Sequence, residues 1–304
     1  MLTSSTSHNS QCAGWHRNKE IMKQKTAFTK KDIIATLACA VFLLANLAAI
    51  GSRGRRHAKD MLCLSNLHKW GTVCLAFAAE NDGYFMRGWF DGTGLTNQDF
   101  WMEALRPYYG NNHKLRCCPE ATIPSSQVQN GSYAGGLGTF VAWGAFPGEC
   151  GQPSSWWSPA TACDYGSYGF NGFLHNPPPE VHAVFGRPTT WSWRTPNVTG
   201  AAEIPLLSGS QWIDQWPTAS DQVPEYDGEP WGPYSSYSSM VRVCINRHRG
   251  SINSTFLDAS ARKVPLKCLW KLKWHRAFNP DLGPTEEEFN SAGSGWMAEF
   301  PPCE

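Results

Sequence analysis

The sequence predicts an α+β chain in which one long N-terminal helix, with a membrane-embedded first half, packs on an antiparallel β domain. Three observations predict it. An uncharged apolar run occupies residues 33–50. A helical apolar stripe continues beyond that run to a stop at Asn81, Asp82 and Gly83. Past residue 83 lie most of the 15 Trp, 28 Gly and 21 Pro, a mixture that suits short strands joined by turns better than long helices.

The apolar run reads IIATLACAVFLLANLAAI. At 1.5 Å per residue it covers about 27 Å, close to the hydrocarbon thickness of a bilayer. A signal-peptide core or a buried helix has a similar length, but no convincing small-x-small cleavage site follows. Instead Met61, Leu64, Leu67, Gly71, Cys74, Leu75 and Ala78 recur at mostly three- and four-residue spacing, which is the period of an amphipathic helix. Unbroken from residue 33 to 80, such a helix measures roughly 70 Å, far more than one bilayer needs. Its second half must therefore pack on protein.

Basic residues precede the run at Arg17, Lys19, Lys23, Lys25, Lys30 and Lys31 and follow it at Arg53, Arg55, Arg56 and Lys59. The positive-inside bias favours a cytoplasmic N-terminus. The predicted organisation is a basic leader over 1–27, a helix over 28–82 with its span near 33–50, and an extracytoplasmic domain over 83–304. The 26 Lys+Arg nearly cancel the 25 Asp+Glu, so no basic field points to nucleic acid.

Of the 11 cysteines, seven lie beyond the helix and cannot all pair among themselves. No C-x-x-C spacing marks a zinc ribbon, and an oxidising compartment explains some of the seven. The expected bridge joins Cys117 or Cys118 to Cys150 or Cys163, with buried free thiols as the alternative. Downstream, residues 133–143 and 164–174 are Gly- and aromatic-rich strands or loops. Residues 240–245 and 252–257 read as a hairpin closed by the turn at 246–250. A second turn at Asp258, Ala259 and Ser260 leads to residues 262–264. Pro265 then opens a short helix carrying Leu266, Leu269, Trp270 and Trp274.

Several segments together resemble a known family. They are Lys25-Thr26-Ala27-Phe28-Thr29-Lys30-Lys31-Asp32 before the apolar run, then Cys63-Leu64-Ser65-Asn66-Leu67 and Asn81-Asp82-Gly83-Tyr84. Further on come Leu115-Arg116-Cys117-Cys118-Pro119, Ser167-Tyr168-Gly169-Phe170-Asn171-Gly172, and His248 followed by Gly250, Asn253, Phe256 and Asp258. This pattern is similar to type IV pilin-like proteins, or pseudopilins, of the large planctomycete-type variety. The resemblance implies a pilin-like fold, cleavage by a prepilin peptidase between Ala27 and Phe28 with methylation of the new terminus, and pairing of Asp32 with a neighbouring subunit. It also implies self-association or contact with other pseudopilins in a type II secretion or type IV pilus-like assembly at a bacterial inner membrane. Ala27 stands where that family has Gly, Lys30 and Lys31 replace apolar residues, and Ala259 replaces a second Gly. Thr29 and Asp32 equally spell a helix-capping box.

No catalytic constellation emerges, and an enzyme is not expected. Along an extended strand His248 and Asp258 would stand roughly 30 Å apart, so each reads as a turn residue. Asp214, Asp221, Glu225, Asp227 and Glu229 could supply calcium oxygens, but their spacing matches no EF-hand, so no cofactor is assigned and metal ligands stay unidentified. Trp156-Trp157 and Trp191-x-Trp193 suggest a second reading, a solitary anchored protein that binds glycans or envelope proteins through a tryptophan-rich face. Core packing is the ordinary alternative for such side chains.

Overall fold

A computed structural model describes residues 29–88, 100–110, 112–125, 138–144, 164–230, 238–293 and 295–303, with the side chains of 45–50 outside the description. The chain divides into two units, residues 1–55 and 56–304. The first helix, α1 (Lys30–Glu80), crosses that boundary.

A reciprocal capping box starts α1. The Asp32 N–H donates to Thr29 Oγ1 at 3.2 Å, while Asp32 Oδ2 accepts from the Thr29 N–H at 2.9 Å and its hydroxyl at 2.7 Å. Two orphan donors of the first turn are thereby satisfied. The helix stops where Asp82 (φ 53°) and Gly83 (φ 80°) turn left-handed and the Gly83 N–H caps Ala78 O at 2.8 Å.

The membrane expectation is corrected here. Among the described residues no helix is long and apolar enough to cross a membrane. The described apolar stretch of α1 runs from Ile33 to Leu44, about 18 Å at 1.5 Å per residue against roughly 30 Å of hydrocarbon. The placement as a single-pass inner-membrane protein with an extracytoplasmic domain is not sustained. The transmembrane, pseudopilin and secretion assignments that rested on it fall too.

In the second unit α1 buries the face carrying Cys63, Leu67, Trp70, Cys74 and Ala78. That face joins a core with Trp101 of α2 (Trp101–Ala104), Tyr109 of α3 (Arg106–Tyr109), Trp143 and Tyr168. The Trp70 ring meets Trp101 edge-on at 5.1 Å and Tyr109 at 4.9 Å, and its indole N–H donates to Leu115 O. Such contacts add to area burial, and the buried Trp70 indole donor is paired.

The strands are short: β1 (Ile123–Pro124), β2 (Val141–Gly144), β3 (Tyr165–Gly166), β4 (Tyr168–Asn171), β5 (Ala183–Val184), β6 (Arg187–Pro188), β7 (Pro205–Gly209), β8 (Asp214–Gln215), β9 (Ser251–Phe256) and β10 (Ala261–Pro265). The main sheet has the order β10-β9-β7-β4-β8, a small sheet has β1-β2-β3, and β5 pairs with β6. β8 runs parallel to β4 and β1 parallel to β2. The expected antiparallel, pilin-like domain is thus replaced by mixed sheets within an α+β architecture.

The hairpin also moves. Residues Met240–Arg242 form a 3₁₀ turn rather than a strand, and β9 pairs with β10 across the turn at Asp258 and Ala259. Ala259 is left-handed (φ 62°), and Asp258 Oδ1 accepts from the Ser260 N–H at 2.9 Å and its hydroxyl at 2.6 Å. A short polar side chain bonding backbone two residues on closes such turns. Gly209 of β7 packs against Ile252 of β9 where an added Cβ would meet Ile252 Cγ1 at 2.9 Å. After Pro265 a 3₁₀ helix, Leu266–Lys271, buries Leu266, Leu269 and Trp270 in a second cluster. The helix α4 (Glu286–Ser291) lays Phe289 against Trp270 at 5.3 Å.

Candidate functional site

Three elements converge on one buried cluster. Asp60 and Cys63 sit three residues apart on α1, which places them on one helical face. Cys118 follows the 3₁₀ turn His113–Arg116, and its N–H donates to Ser167 Oγ at 2.6 Å. His248 occupies the turn before β9, where Arg249 and Gly250 take positive φ and Asn246 Oδ1 accepts from the Gly250 N–H at 2.6 Å.

The sulfurs of Cys63 and Cys118 and one ring nitrogen of His248 all lie within 4.8 Å of one another. His248 Nε2 is 3.3 Å from Cys118 Sγ, and Nδ1 is 2.6 Å from Asp60 Oδ1. Asp60 Oδ2 accepts from Lys263 Nζ at 3.0 Å and Arg249 Nη2 at 3.4 Å. The Tyr168 hydroxyl donates to Cys63 Sγ at 3.2 Å. Arg247 stands beside the cluster with its guanidinium donating to the carbonyls of Thr139, Ser167 and Ser210.

The electrostatics follow from that packing. Burial opposes ionisation of Cys118, yet hydrogen bonds from Cys63 and His248 and the charge of Arg247 together pull this thiol well below its ordinary value. Burial and the neighbouring Cys118 push Cys63 well above its own. One proton therefore leaves the pair easily and the second only with difficulty. Burial also works against Asp60, but hydrogen bonds from Lys263 and His248 hold its carboxyl below the usual range.

A thiol-imidazole-carboxylate line supports two kinds of chemistry: a nucleophile, or a soft metal-ligand set. Cys118 is 0%, Cys63 1% and His248 2% exposed. A nucleophile needs a path for its substrate, whereas an ion held by protein side chains needs none once it is bound.

The other sequence candidates fall elsewhere. Ala27, Phe28, Cys150 and Cys163 lie outside the described residues. Asp32 is engaged in its own capping box, and the Thr29 hydrogen bonds hold its carboxyl below the usual value. Cys117 and Cys118 carry free thiols, with Cys117 pushed up to about 12 by burial. A disulfide joins Cys268 to Cys303. Asp258 is not part of the cluster around His248.

Four of the five acidic residues considered for calcium are bonded to protein donors. Asp214 pairs with Arg242, Asp221 accepts from Thr218 and the Met240 N–H, Asp227 accepts from Thr139, and Glu229 accepts from the Glu225 N–H. Trp193 is buried, and one face of Trp191 lies parallel to His275 at 4.3 Å. Trp156 and Trp157 lie outside the described residues.

Sequence reasoning placed Cys63 on a helix, Cys117 or Cys118 in a bridge with buried free thiols as the alternative, and His248 in a turn, and it missed Asp60. The Asp-x-x-Cys spacing on a helix was the available signal for Asp60. Nothing local could reveal a contact that joins Cys118 to His248 across 130 residues. Comparison with known protein families, characterised proteins and solved structures finds no match to this chain.

Proposed function

We propose that the chain is a non-enzymatic subunit that assembles with copies of itself through the N-terminal part of α1. One observation carries this reading. Ile33, Ile34, Leu37, Val41, Phe42, Leu43 and Leu44 are each 49–69% exposed. At about 3.6 residues per turn these seven side chains point into every quadrant around the helix axis. A helix that is apolar all round is stable in water only when covered, and a patch of this kind marks an interaction surface. Every copy presents the same surface, so a helix of a second copy is a self-complementary occupant. The sealed Cys63–Cys118–His248 cluster supports the non-enzymatic half of the reading, because it offers a substrate no approach.

The test is sedimentation velocity on the full chain over a concentration series, with bismaleimide cross-linking at the exposed Cys39. Concentration-dependent association is expected, with Cys39-to-Cys39 cross-links that Cys39→Ser removes. The paired substitutions Leu37→Glu and Phe42→Glu should return the chain to monomer. A wild-type chain that stays monomeric throughout and yields no cross-link would overturn the reading.

A further inference from the structure

We propose that Cys63, Cys118 and His248 bind one divalent ion of the zinc class, with Asp60 positioning the histidine, as a structural clamp between α1 and the β9 turn. Thiolate and imidazole together select zinc and similar borderline-soft ions over magnesium or calcium, which take oxygen ligands. Around a tetrahedral zinc, sulfur at about 2.3 Å and nitrogen at about 2.0–2.1 Å stand roughly 3.5–3.8 Å from one another. The observed cluster, with all three donor atoms inside 4.8 Å and one pair at 3.3 Å, needs only small side-chain adjustments to reach that geometry.

One further feature points to an ion. In the tautomer whose Nδ1–H donates to Asp60 Oδ1, 2.6 Å away, His248 presents its Nε2 lone pair to Cys118 Sγ at 3.3 Å. A carboxylate behind a histidine ligand is the usual way proteins fix the ligating tautomer. Two thiolates neutralise a divalent ion, and the Asp60 carboxylate behind His248 is itself paired with Lys263 and Arg249.

Burial of every ligand makes the site structural, since structural zinc sites are closed and catalytic ones keep an open position. The clamp ties α1, the segment before β1 and the turn before β9, which meet only through long-range contacts. It stands independently of self-association, so either proposal can fail alone.

Elemental analysis of the full chain, purified under reducing conditions without chelator, should find one zinc per chain. Cys63→Ser and His248→Gln should lower that content at least tenfold, while Cys117→Ser leaves it unchanged. Asp60→Asn should weaken binding roughly 10–100-fold, the range known for outer-shell partners. Because ligand variants can fail to fold, cobalt(II) is also titrated into metal-stripped, reduced wild-type protein, where tetrahedral d–d bands and a thiolate charge-transfer band are expected. Wild-type protein that carries no zinc and gives no such bands would overturn the proposal. So would peptide mapping that finds Cys63 bridged to Cys118 in metal-free protein taken directly from cells.

Discussion

The same helix treats its apolar residues in two opposite ways. Over Ile33 to Leu44 they point in all directions and stay open, whereas over Asp60 to Ala78 one face is sealed and the opposite face carries Met61, Ser65, His68 and Thr72. Apolar content alone does not say where a helix is used. Segregation of apolar from polar positions does, because only a segregated helix can satisfy a domain on one side and water on the other.

Core truncation offers the hardest test of that contrast. Trp70 is 0% exposed, touches two aromatic rings and donates to Leu115 O. Trp70→Ala should cost about 3–5 kcal/mol, the range for large aromatic residues in cores. Leu43→Ala, at a position 60% exposed, should change the stability of the isolated chain by less than about 0.5 kcal/mol. Urea unfolding followed by tryptophan fluorescence measures both, and comparable losses at the two positions would erase the distinction between the halves.

The sealed half was legible in part. Leu67, Gly71, Cys74 and Ala78 of the expected stripe are buried, but Met61 is 53% exposed and the true face runs through Cys63 and Trp70. Periodicity reveals that a stripe exists, while its exact rotation depends on partners such as Leu115 and Tyr168 that arrive from distant sequence. The turn at Asp258 was legible because its bonds are local. The hairpin boundary was not, since residues 240–245 are apolar enough for a strand yet serve as a buried 3₁₀ turn and loop. The Cys63–Cys118–His248 cluster was illegible for the same reason as the stripe's rotation: its members meet only after folding.

The halves should also differ in their response to acid. In the second unit His175 is buried against Phe170 and Trp216, and burial lowers its pKa to about 3. His275, stacked on Trp191, is lowered to about 4 by burial and by the charge of Arg187. Both folded-state values lie below the ordinary value of 6.5, so the unfolded chain binds protons that the native state refuses. Their contribution is therefore complete above about pH 6.5 and is lost as pH falls, at about 1.4 kcal/mol per pH unit for each imidazole, until about pH 4 for His275 and about pH 3 for His175. In the open half Asp32 has a lowered pKa, and it titrates only in stronger acid. Urea midpoints compared at about pH 7 and about pH 5 should fall steeply, and His175→Phe should flatten the dependence. A midpoint that does not move between those conditions would break the argument.

Glycine gives the finest version of the comparison, because the same substitution should change sign along one helix. At Gly54 an added Cβ meets nothing within 4 Å. Gly54→Ala should therefore raise helix stability by about 0.5–1 kcal/mol, the ordinary gain from restricting the unfolded backbone and filling a helical position. At Gly71 the same methyl would sit 2.9 Å from both Ala259 Cα and Thr255 Oγ1. Ala259 belongs to the left-handed turn between β9 and β10, so its backbone cannot withdraw without disturbing the hairpin. Overpacking of this kind costs about 1–3 kcal/mol, which outweighs the propensity gain. Gly71→Ala should thus destabilise by roughly 0.5–2 kcal/mol in the same urea titration. A stabilising Gly71→Ala would mean that α1 does not lie against the Asp258–Ala259 turn, and the sealed face of the helix would have to be redrawn.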